Sequence, residues 1–100
     1  MILSSKDQIA EYTQKGWWGT ETIIDKLYAR AASIAESEAL VDPYNKMDLV
    51  GSEPMRMTYG QMIQSIDRLA LKFLQLGIKK DDVIIAQLPN IIELTLTIFA

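Results

Sequence analysis

Apolar positions along the chain change between helical and strand-like spacing, and the changes mark its elements. Between Thr20 and Ala35, the residues Ile23, Ile24, Leu27, Tyr28, Ala31, Ile34 and Ala35 recur at three- and four-residue intervals. Asp25, Lys26, Arg30 and Ser33 fall away from that face, which predicts an amphipathic helix to about Ala35. Thr20 reads as its N-cap and Glu21 lies in its first turn. A longer helix is predicted from Thr58 to Leu76. Met62, Ile66, Leu69, Phe73 and Leu76 step by four and three, with Ile63, Ala70 and Leu74 beside them, and Gln64, Asp67, Arg68, Lys72 and Gln75 face outward. Thr58 and Gln61 have the spacing of a capping box, and Gly77 stands where a C′ glycine belongs. Leu71 interrupts the polar side and reads as an isolated exposed leucine. A short polar helix is predicted from about Lys6 to Gln14, capped by Ser5 and ended by Gly16.

The remaining apolar runs read as strands and one further helix. Glu38 to Asp42 forms a strand that Pro43 ends, and Met55 to Thr58 forms another. Together they predict an antiparallel hairpin with a polar tip at 43–54. Val83 to Leu88 is a nearly continuous apolar run, as expected of a strand covered on both faces. Pro89 ends it, and Asn90 with Glu93 repeats the cap pattern ahead of a helix that runs to Ala100. That last helix lacks the glycine, basic last turn or polar tail of a normal C-terminus, so the chain is expected to be the front of a longer protein. Strand, helix, strand, helix in the second half predicts an α/β fold whose βα units belong to a larger sheet.

Composition narrows the chemistry more than it suggests any. Apolar residues make up 49% of the 100 positions and charged residues 23%, ordinary globular values. The net charge of −3, with the basic residues scattered, excludes an electrostatic footprint for nucleic acid. With no Cys and no His, the chain carries no disulfide, thiolate, ordinary zinc site or Ser-His-Asp triad. The run Met1 to Gln8 turns polar too early for a secretory signal, and Val83 to Ala100 is too interrupted for a membrane span. A cytoplasmic protein is expected.

Three places invite a functional reading, and each has a plainer one. Leu88-Pro89-Asn90 falls after a predicted strand at a helix N-terminus, where α/β folds bind anions, but no glycine permits close backbone approach. A strand stop followed by a helix cap is favoured there. Trp17 and Trp18 could face a partner or a lipid surface; between Gly16 and Gly19, closing one end of the core is favoured. Asp81-Asp82 reads as a solvated turn rather than a cation site. Glu36, Glu38, Asp42, Asp48 and Glu53 show no acid/base spacing, and no glycine-rich phosphate loop occurs.

The order of motifs resembles the opening of adenylate-forming acyl- and aryl-CoA ligases. Tyr12 through Gly16-Trp17-Trp18, Thr22-Ile23-Ile24-Asp25 and Ala39-Leu40-Val41-Asp42 match their first segments. Thr58-Tyr59-Gly60-Gln61-Met62, Arg68-Leu69-Ala70 with Leu74, and Leu76-Gly77-Ile78 are similar to the helix that follows. Asp82-Val83, Gln87-Leu88-Pro89-Asn90 and Glu93 are similar to the next strand and helix, with Lys80-Asp81-Asp82 standing where the family often has Gly-Asp. The resemblance spans residues 12–100 and implies the N-terminal portion of the large domain of such an enzyme. It further implies a parent that uses ATP, Mg²⁺ and coenzyme A to convert a fatty, alicyclic or aryl acid to its thioester through an acyl-adenylate. The family's phosphate loop, nucleotide-binding motifs and C-terminal lysine have no counterpart here. No catalytic, cofactor-binding or metal-binding residue is therefore assigned, and the piece is expected to be a scaffold that self-associates when isolated. The competing reading is a self-contained α/β interaction module using Trp17, Trp18 and the terminal apolar helix.

Overall fold

The computed structural model describes residues 3–100, so the first two positions of the Met1–Gln8 run lie outside the described residues. In chain order its elements are α1 (Lys6–Gln14), α2 (Ile23–Ser33), β1 (Glu38–Val41), α3 (Lys46–Val50), β2 (Arg56–Thr58), α4 (Tyr59–Gln75) and α5 (Ile92–Phe99). Helix starts follow local chemistry closely. Ser5 with Gln8, Thr22 with Asp25, and Thr58 with Gln61 each form a complete reciprocal capping box. The cap of α2 is therefore Thr22 and not Thr20, because only Thr22 has an acceptor side chain three residues ahead to close the box. At the other end of α4, Gly77 adopts φ +85°, and Ile78 donates its N–H to the Phe73 carbonyl at 3.1 Å. This is the expected Schellman stop.

β1 and β2 pair antiparallel, with Glu38 opposite Thr58 and Val41 opposite Arg56, and an irregularity between Glu38 and Leu40. The predicted hairpin is thus present, and its connection contains the short helix α3. α4 is the organising element: it packs on α2, on α5 and on the hairpin. Its start is pressed against the end of α2, where a Cβ on Gly60 would sit 3.3 Å from the Ala35 carbonyl oxygen. The buried apolar core is small and comprises Ala31, Met62, Ile66, Ile91 and Ile92.

Several expectations fail where the outcome depends on what the chain packs against. Val83 to Leu88 is not a strand: it pairs with nothing among the described residues, and Val83 and Ile85 are 87% and 90% exposed. A strand exists only through hydrogen bonds to a neighbour, and none is offered. Trp17 and Trp18 do not close the core. They cluster on Tyr12, with ring centroids 5.4 and 5.1 Å away, and remain substantially exposed. Leu71 is exposed as expected, but Leu74 and Leu76, placed on the apolar side of α4, are exposed as well. The mixed architecture fits an α/β class with a two-stranded antiparallel sheet.

Candidate functional site

The most organised polar constellation joins the hairpin connection to α5. Pro43 ends β1 and turns the chain, and Lys46 begins α3 four residues after Asp42. Lys46 is only 1% exposed and Asp42 only 5%. The Lys46 ammonium donates to Asp42 Oδ2 at 2.7 Å, and to both oxygens of Glu93, in the first turn of α5, at 2.7 and 3.0 Å. Asp42 Oδ2 also accepts the backbone N–H of Met55 at 3.0 Å, while Oδ1 accepts that of Ile92 at 2.8 Å. All three hydrogens of the ammonium are thereby used, and both carboxylate oxygens of Asp42 are engaged.

The charge states follow from this geometry. Burial alone would push the Asp42 carboxyl up, but hydrogen bonds from Lys46, Ile92 and Met55 outweigh it and hold the group below the ordinary carboxylate range. Burial likewise opposes charge on Lys46, yet the carboxylates of Asp42 and Glu93 hold its ammonium above the ordinary lysine value. A protonated ammonium has no lone pair with which to attack, and this one holds the hairpin connection against α5 through its bonds to Asp42 and Glu93.

Asp42 also replaces an expected local cap. The N-cap of α5 is Ile91, whose side chain cannot accept, and neither Asn90 nor Glu93 supplies the box anticipated for it. The orphan N–H of Ile92 is instead satisfied by Asp42, from fifty residues earlier. Next to this contact lies a cleft of about 310 Å³ lined by Leu40, Asp42, Pro43, Asn90, Ile91 and Thr95, among others. Asn90 therefore does border a cavity, although Leu88 and Asn90 are exposed. Asp82 folds back to accept the Lys79 N–H at 2.7 Å, as a turn residue does. Among the described residues no group of three or more His, Cys, Asp or Glu is placed to hold a metal ion. No helix among them is long and apolar enough to cross a membrane.

Sequence reasoning missed this cluster. By spacing alone Asp42 belongs with the acids that show no acid/base pattern, and Glu93 fits a local cap. The only signal was the four-residue interval from Asp42 to Lys46, which the intervening Pro43 disguises because it rules out one continuous helix.

Comparison with known proteins supplies the family. The chain is 36% identical over 95 residues to 2,3-dihydroxybenzoate-AMP ligase of Bacillus subtilis, covering 94% of this chain and 16% of that protein. It is 31% identical over 91 residues to the vibriobactin-specific 2,3-dihydroxybenzoate-AMP ligase of Vibrio cholerae, covering 91% and 15% respectively. It is also 31% identical over 84 residues to 2-hydroxy-7-methoxy-5-methyl-1-naphthoate–CoA ligase of Streptomyces carzinostaticus, covering 84% and 13%. No family model matches the chain, and no solved structure matches it significantly. These relatives are aryl-acid AMP and CoA ligases, so the family this chain is similar to is that of the adenylate-forming ligases, and it spans only 13–16% of the length of the three named here.

Proposed function

We propose that this chain is the N-terminal part of an ATP-dependent ligase that activates an aromatic carboxylic acid as its acyl-adenylate. In that reaction a carboxylate oxygen attacks the α-phosphorus of ATP, and the bond to pyrophosphate breaks. A thiol, coenzyme A in the reading from sequence, then attacks the activated carbonyl carbon and AMP leaves. The observation that carries this reading is the identity to 2,3-dihydroxybenzoate-AMP ligase over 94% of the chain. The names of the relatives favour aryl acids within the wider fatty, alicyclic and aryl range.

The described residues form no metal-ligating group for Mg²⁺, and no step is assigned to them. Their role is scaffolding in a cytoplasmic enzyme. The accessible surface of 7,879 Å² supports this, since a compact chain of this mass exposes roughly 5,700 Å². The radius of gyration of 16.6 Å likewise exceeds the roughly 13 Å of a compact domain of this length. Such a surface suits a piece completed by further polypeptide, with Val83 to Leu88 becoming a strand once neighbours are supplied. A free-standing interaction module would also explain the exposed apolar residues, but it leaves the ligase relatives unexplained.

The test is acid-dependent release of pyrophosphate by the longer polypeptide, given ATP, Mg²⁺ and a panel of benzoates, hydroxybenzoates, naphthoates and fatty acids. Turnover with an aryl acid is expected, and none from the 100-residue chain alone. Silence across the panel overturns the ligase reading, and turnover of fatty acids alone overturns the aryl choice.

A further inference from the structure

We infer that the Asp42–Lys46–Glu93 cluster is a conformational clamp that makes the hairpin connection and α5 open and close as one unit. This stands on the geometry of the cluster and does not depend on the reaction proposed above. Lys46 and Asp42 are buried, so neither can be released to water singly without leaving an unpaired charge inside. Asp42 Oδ2 is shared between the Lys46 ammonium and the Met55 N–H, and its other oxygen holds the Ile92 N–H. One carboxylate therefore ties the start of β1's return path to the first amide of α5. Glu93 closes the loop from the opposite side, 47 residues along the chain from Lys46.

Coupling of this kind has a consequence that separate local contacts would not have. Loosening α5 at Glu93 must weaken the grip of Lys46 on Asp42, and so free the Met55 amide, which Glu93 does not touch. The apolar contacts of α5 with α4 are not part of the clamp, and the centre of α4 should stay protected when it opens.

The experiment is native-state hydrogen exchange, read at single amides, on the longest polypeptide that contains this chain. Glu93→Gln removes the charge at nearly constant shape. It is expected to speed exchange at both Met55 and Ile92 by about tenfold or more, with Ile66 and Leu69 unchanged. Lys46→Met is expected to do the same more strongly. Faster exchange at Ile92 with Met55 unmoved would overturn the clamp, as would uniform acceleration throughout α4. Should Lys46→Met fail to fold, the Glu93→Gln result decides alone.

Discussion

Asp42 accepts the backbone N–H of Ile92 at 2.8 Å and so caps a helix that begins fifty residues after it. Helix N-termini are usually served by a neighbouring Ser, Thr, Asp or Asn, as α1, α2 and α4 are here. α5 begins instead with apolar residues that enter the core, Ile91 and Ile92. Its polar requirement is met by Asp42, the residue that follows β1, which makes the position of α5 depend on the hairpin.

Replacing Asp42 should therefore be costly. Asp42→Ala strands the Lys46 ammonium beside a half-exposed Glu93 and orphans two backbone N–H groups. A loss of about 3–5 kcal/mol is expected, as for a broken buried ion pair. Asp42→Asn keeps one acceptor oxygen and should lose less, about 1–3 kcal/mol. Urea unfolding checks this: the midpoint should fall in that order with an unchanged slope. Equal midpoints for wild type and Asp42→Ala would contradict the buried network.

Stability should depend on pH at both extremes. The Asp42 carboxyl is lowered in the fold, so its contribution is complete above its unfolded value of about 3.9 and is lost as pH falls through the folded one. Asp25, lowered by its hydrogen bonds to the backbone and side chain of Thr22, adds to the same acid limb. Lys46 is raised, so its contribution is complete below about 10.4 and is lost as pH climbs through the folded value. Tyr28, raised by its hydrogen bond to Asp67, declines in the same alkaline range. A plateau between roughly pH 5 and pH 10 is expected for these groups. In urea titrations, Lys46→Met combined with Tyr28→Phe should flatten the alkaline limb, and a limb that persists unchanged would assign it elsewhere.

The exposed run at Val83 and Ile85 should behave oppositely in two contexts. The isolated chain should self-associate through it, because unpaired backbone beside apolar side chains is a template for pairing. Val83→Lys with Ile85→Lys should restore a monomer in sedimentation experiments without lowering the melting temperature. In the longer polypeptide the same pair should destabilise by several kcal/mol if these side chains become buried. A wild-type chain that is monomeric at high concentration would count against the first expectation, and an unaffected longer polypeptide against the second.

Helices α1, α2 and α4, the hairpin and the Gly77 stop were legible in advance, because each is built from contacts within a few residues or between adjacent strands. A capping box spans three residues, and a helix closes its own hydrogen bonds four residues apart, so the pattern of side chains suffices. The slip from Thr20 to Thr22 is of the same local kind, since Asp25 was available to mark the true cap. The motif order legible from Tyr12 to Glu93 carried the family too.

What tertiary structure alone decided is the burial of Lys46, the remote cap on Ile92 and the state of Val83 to Leu88. A charged lysine is rarely buried unless carboxylates meet it, and here Asp42 meets Lys46 from four residues away and Glu93 from 47. An apolar run becomes a strand only beside a partner, and among the described residues Val83 to Leu88 has none. Both outcomes depend on which distant groups arrive, a quantity that spacing along a single stretch of chain does not encode.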